Sequence, residues 1–241
     1  MLEIIQTTHI LPYENIKTGN STDVVVDKLI VFLEKYLPEF SQKSVFSKEE
    51  NENNITYELR KYLQRKRGFN DEEIEYPFEF EREVPQLSKN KKERTKFIDI
   101  GVNSYDFENN STLIYCETNP SELLYCIEAK RLPTDKIGKK REKEYAIGEK
   151  GGGIQRFKDN KHGKDSKGNL LKRNGMIGYV QQNDFEHWHQ KINEWIVDEP
   201  TWSNTEILQK VNFGTIARLE SSHERISKHN LKLTHFWINL C

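Results

Sequence analysis

Apolar residues recur along the chain with two periods, and the periods predict its elements. Over residues 23–36, Val24, Val25, Leu29, Ile30, Leu33 and Tyr36 fall at helical spacing. Residues 53–67 repeat the pattern with Ile55, Leu59, Tyr62 and Leu63, and Arg65-Lys66-Arg67 before Gly68 marks a helix C-terminus. Residues 75–84 instead alternate, with Tyr76, Phe78, Phe80 and Val84 on one side and Glu75, Glu79, Glu81 and Glu83 on the other. That is a half-buried strand, and Pro77 puts its first part at an edge.

Residues 95–102 and 123–132 predict two further strands, with 112–117 another between them. Residues 143–158 read as helical in part, interrupted by Gly151, Gly152 and Gly153, so that 153–157 opens the packed portion. A glycine- and lysine-rich loop follows over 161–174, then a short apolar strand over 176–180. Phe185, Trp188, Ile192, Trp195 and Ile196 form one helix face, and 231–240 closes as a strand. The order predicts an α/β arrangement on a mixed sheet, flanked by helices. With no internal repeat and no long Pro- or Ser-rich linker, a single domain over 1–241 is the expectation.

Composition changes the picture in one respect. Charged residues reach 31% and mean hydropathy is −0.84, values that border on those of disordered chains. Aromatics at 11% exclude that class, because disordered segments lack them. Cys116, Cys126 and Cys241 rule out a disulfide scaffold and lack zinc-ligand spacing; Cys116 and Cys126 sit in strand-like apolar runs and read as buried thiols. No apolar run reaches membrane-spanning length, and Met-Leu-Glu-Ile-Ile-Gln has no basic stretch leading into an apolar one, so a soluble cytoplasmic protein is expected.

Charge is unevenly placed. Residues 49–83 hold eleven acids and six bases, whereas 129–173 hold fifteen bases and six acids. A basic stretch in a chain whose formal net charge is −1 is what contact with a phosphate backbone requires; a solvated lysine-rich loop is the alternative.

The chemistry concentrates in Phe97-Ile98-Asp99-Ile100-Gly101 and Ile127-Glu128-Ala129-Lys130. Residues two apart on a strand share a face, so Glu128 and Lys130 project together. Asp99 interrupts an otherwise apolar strand, and an acid there is costly to bury without positive compensation. Two such strands suggest a divalent cation, which takes carboxylate oxygens and keeps waters. A neighbouring lysine can then orient one of those waters.

With the surrounding element order, these residues resemble the PD-(D/E)XK nuclease superfamily, whose restriction-endonuclease-like core runs helix, three antiparallel strands, helix, strand. The resemblance covers roughly Ile55 to Val180, a core of about 54–181 with N- and C-terminal elaborations. It puts the family's Asp on Asp99 and its acidic-X-Lys on Glu128, Ala129 and Lys130. It further implies a helix glutamate at Glu58, a glutamine at Gln155, and Mg²⁺ (or Mn²⁺) on Asp99, Glu128 and the Ala129 carbonyl. The residue before Asp99 is Ile98 rather than proline, a departure that many members tolerate, and the long segment between Asp99 and Glu128 requires an inserted hairpin.

The implied activity is endonucleolytic hydrolysis of DNA, with RNA left open, in a restriction or anti-phage defence setting where an ATPase or helicase often partners the nuclease. A homo-oligomer is also compatible. Arg156, Lys158, Lys139, Lys140, Arg141, Lys161, Lys172 and Arg173 would hold the nucleic acid. A catalytically inactive module of the same fold, binding nucleic acid or a protein, is the competing expectation; its mark would be Asp99 and Glu128 splayed apart or capped by basic side chains. A small-molecule or sugar-modifying enzyme has little support. His187 and His189 read as surface histidines, while Ser222, His223 and His235 could add polar groups to the site. No nucleophile-elbow sequence is present.

Overall fold

The computed structural model describes residues 21–43, 46–47, 50–67, 76, 78–86, 96–104, 123–134, 141–148 and 151–240. Two helices come first, α1 (Ser21–Lys43) and α2 (Glu52–Arg67). Strands β1 (Phe78–Gln86), β2 (Lys96–Ser104) and β3 (Leu123–Leu132) follow, then a 3-10 turn (Glu142–Tyr145) and the short α3 (Gly153–Lys158). The chain continues through β4 (Arg173–Val180), α4 (Phe185–Val197), β5 (Gln209–Phe213), β6 (Ile216–Glu224) and β7 (Asn230–Asn239).

Among the described residues seven strands form one sheet, in the order β1-β2-β3-β4-β7-β6-β5. β1, β2 and β3 are antiparallel, β4 runs parallel to both β3 and β7, and β6 pairs antiparallel with β5 and β7. An α/β chain with a mixed sheet flanked by helices is therefore what the periodicities specified. Pro85, which has no N–H to donate, is tolerated because β1 is an edge strand.

Helices cover both faces, and each face has its own core. On one, Val25, Leu29, Phe32 and Leu37 of α1 and Ile55, Leu59 and Leu63 of α2 pack on Phe78, Phe80, Tyr125, Ile127 and Tyr179. On the other, Ile154 and Phe157 of α3 and Trp188, Ile192 and Trp195 of α4 pack on Cys126, Met176, Leu219 and Trp237. This double cover explains why β3 is buried along nearly its whole length. Burial of Leu37 and Phe40 accompanies the continuation of α1 seven residues past its predicted end and through Pro38.

Two strands escaped the pattern reading. β5 is an exposed edge with no alternation to detect. β6 does alternate, but Ser221 and His223 take buried positions that a hydrophobic pattern would reserve for apolar residues. The predicted strand at 112–117, together with Cys116 and Cys241, lies outside the described residues. Among the described residues no helix is long and apolar enough to cross a membrane.

Candidate active site

Asp99 sits at an irregularity of the sheet. Ile98 packs in the α3–α4 core and Ile100 in the α1–α2 core, although two residues apart on a regular strand share a face. The break lies opposite Glu83, whose φ of 52° is left-handed, between the pairs Arg82↔Ile100 and Val84↔Ile98. Pairing of β2 with β3 ends at Ile100↔Ile127, and the same register carried one residue further sets Asp99 opposite Glu128. In place of a ladder bond, the Ala129 N–H donates to Asp99 Oδ2 at 2.8 Å. Such local breaks re-aim side chains beside functional sites.

Glu128 is almost completely buried and ringed by bases. Arg156 Nη1 lies 2.6 Å and Lys130 Nζ 3.1 Å from its Oε1, and His162 Nδ1 lies 3.1 Å from its Oε2. The His162 contact does not have hydrogen-bond geometry, so Glu128 Oε2 and His162 Nδ1 are both buried without a hydrogen-bond partner. Lys130 Nζ also donates to Ala129 O at 2.7 Å and to Glu52 Oε1 at 2.9 Å, while Glu52 Oε2 accepts from Arg131 N at 3.1 Å. Glu52 reaches across from the first turn of α2 and fixes the lysine in place.

The charges act on one another. Burial, and then the neighbouring Glu128 charge, raise the Asp99 carboxyl from its ordinary 3.8 to about 7. Burial pushes Glu128 the same way, but Lys130, His162 and Arg156 overcome it and hold Glu128 well below the usual carboxylate range. Burial would lower Lys130, yet Glu128, Asp99 and Glu52 hold it well above the usual ammonium range. Lys130 is thus a fixed cation whose three N–H groups face Ala129 O, Glu52 and Glu128; it can face developing negative charge, but it does not accept a proton near neutrality.

Asp99, Glu128 and the Ala129 carbonyl are the oxygen donors a hard divalent ion takes. The like-charge pressure on Asp99 and the orphaned Glu128 oxygen are what such an ion would relieve. Lys130 competes with it for the Ala129 carbonyl. Among the described residues no three His, Cys, Asp or Glu side chains form a ready-made cage. An ion held by these oxygens would retain most of its waters.

Several predicted residues are placed elsewhere. Glu58 pairs with Lys61 at 3.2 Å on a more exposed part of α2, and Glu52, in the first turn of the same helix, stands beside Lys130 instead. Gln155 turns its Oε1 to Gly148 N and Gly152 N and ties down the start of α3 rather than facing Glu128. Lys158 is buried against Glu206 and over the Trp202 ring, unavailable to a phosphate backbone. Arg141 pairs with Glu144, Lys161 with Asp159, and Arg173 with Asp27, so much of the basic stretch is neutralised within the chain. Lys172 is exposed, and Lys139 and Lys140 lie outside the described residues.

Asp99, Glu128, Ala129, Lys130 and Arg156 do come together. Glu52 and His162 complete the cluster and were missed by the sequence reading. The acid at the helix start was a usable signal; His162, within a Lys-Gly loop, gave none. His187 is exposed and His189 is bonded to the Leu208 carbonyl, while Cys126 is a buried thiol pushed up to about 12 by burial. No family model, curated protein or solved structure matches this chain.

Proposed function

We propose that this chain is a metal-dependent nuclease of the PD-(D/E)XK type that hydrolyses phosphodiester bonds of DNA. The observation that carries the reading is Asp99, bonded to the Ala129 N–H across two antiparallel strands, beside Glu128 and Lys130. The element order supports it: α2, then β1, β2 and β3 antiparallel, then α3, then β4 parallel to β3, is the order of a restriction-endonuclease-like core. Asp99, Glu128 and the Ala129 carbonyl would hold Mg²⁺ or Mn²⁺, which when bound polarises the scissile phosphate and supplies an activated water.

The chain's own residues do the rest. Lys130, anchored by Glu52, faces the charge developing on the phosphate, and the N–H now on the Ala129 carbonyl would turn to the attacking water once the ion takes that oxygen. Arg156 is half-exposed beyond Glu128 and can take a phosphate oxygen, as a forked guanidinium does well. A restriction or defence role, in which an ATPase or helicase would be a partner, follows by analogy with such nucleases.

A second reading has one specific observation in its favour. Lys130 and Arg156 cap Glu128 Oε1, as expected of an inactive module that binds without cutting. Plasmid and single-stranded DNA incubated with Mg²⁺, Mn²⁺ or EDTA separate the two. Metal-dependent cleavage, abolished at least a hundredfold by Asp99→Ala or Lys130→Ala with far-UV dichroism retained, is the expected result. Undiminished cleavage by either variant overturns the site assignment, and salt-sensitive binding without any cleavage supports the inactive module.

A further inference from the structure

A cleft of about 1370 Å³ opens beside the cluster just described, walled by α3, the 200–206 turn, the β6–β7 hairpin and the start of α1. The helix α3 is a common wall: Arg156 ends on Glu128, while Gln155 and Lys158 line the cleft. Its acids are already partnered. Asp23 and Asp27 meet Arg173, Asp159 meets Lys161, Glu206 meets Lys158 and Glu224 meets Lys228.

Three bases remain without an acidic partner among the described residues. The Arg225 guanidinium is buried and bonded only to the carbonyls of Phe157, His162 and Leu171. Lys172 and Lys232 are exposed and neighbours, joined by Lys232 N donating to Lys172 O at 2.8 Å. Half-buried Trp202 lies on the wall, packed on the α3–α4 core, with Lys158 Nζ over one ring face at 4.7 Å and His223 edge-to-face, so that a base would have to use the other face.

A groove with residual positive charge and an aromatic ring on its wall suits a strand whose bases are free to stack. A duplex keeps its bases paired and offers Trp202 no exposed ring face. We propose that this cleft binds single-stranded nucleic acid, a base against Trp202 and phosphates at Lys172 and Lys232. Resting on the nuclease reading above, this makes single-stranded nucleic acid the substrate class of the Asp99–Glu128 site.

Fluorescence anisotropy with a fluorescein-labelled oligodeoxythymidylate, and with a duplex of equal length, tests the inference in EDTA on the Asp99→Ala protein, so that no cleavage intervenes. The single strand should bind more tightly than the duplex. Trp202→Ala should weaken it about tenfold, with Trp202→Phe restoring most of the loss. Replacing Lys172 and Lys232 together by alanine should lower the slope of log affinity against log salt by about 1.4. Equal binding of both probes, or undiminished single-strand binding by Trp202→Ala, overturns the cleft. Failure here with cleavage intact leaves the nuclease standing; Trp202-dependent binding by a wild type that never cuts removes the nuclease and keeps the cleft.

Discussion

Asp99 carries an electrostatic load that can be measured without knowing the substrate. Its carboxyl, raised to about 7, holds a proton in the folded chain that the unfolded chain releases near 3.8. Between those values the folded state binds more protons, so stability falls as pH rises from about 4 to about 7 and stays low above. Asp99→Asn removes that penalty. In EDTA the variant should melt several degrees above wild type at pH 8 and gain nothing at pH 4; an equal melting temperature at both pH values would show that Asp99 is not under charge pressure. A variant that is more stable yet inactive is the signature of a residue kept for chemistry. How far such residues can be read from sequence depends on what makes them unusual. Asp99, Glu128 and Lys130 stand out because charges break apolar strands, whereas His162 reaches Glu128 from a loop held by tertiary bonds, its N–H on Arg156 O and its carbonyl on Arg225, 63 residues away.

At the scale of elements, β6 and β7 hold a buried polar chain beneath α3. Trp237 Nε1 donates to Tyr145 Oη at 2.9 Å, and Tyr145 Oη lies 2.9 Å from His235 Nδ1. His235 Nε2 lies 2.8 Å from Ser221 Oγ, and Ser221 Oγ 2.7 Å from His223 Nε2. Because the indole only donates, the arrangement that uses every proton runs one way: Tyr145 to His235, His235 to Ser221, Ser221 to His223. The remaining His223 N–H faces Glu206 at 3.6 Å, too long for a hydrogen bond. Burial lowers both histidines, and their neutral forms therefore support the fold above the ordinary histidine range, a contribution that fades as pH drops below it. Ser221→Ala strands a nitrogen on each side and should cost about 2–4 kcal/mol in urea titration; a loss under about 0.5 kcal/mol would show the chain is not structural. The same residues explain why this region was illegible. Periodicity recovers β3 and α4 almost to the residue because their interiors are apolar, while β6 fills its interior with Ser221 and His223 and so reads as surface.

Across the whole molecule, the two cores meet only through the sheet, and β3, β4 and β7 form its middle. Trp237 and Phe236, adjacent on β7, fill opposite cores. Deleting residues 229–241 should abolish cooperative thermal unfolding and near-ultraviolet dichroism altogether, and a sharp melt in the truncated chain would count against a single shared framework. The position of β7 also has a consequence in time. It follows in the chain every strand it joins, and it is the splice between a leading set, β1 to β4, and a trailing pair, β5 and β6. While the polypeptide emerges from a ribosome, each of the two strand sets waits with one unzipped border, vulnerable to sticking to its neighbours, and this sheet is sealed only when β7 is delivered between them.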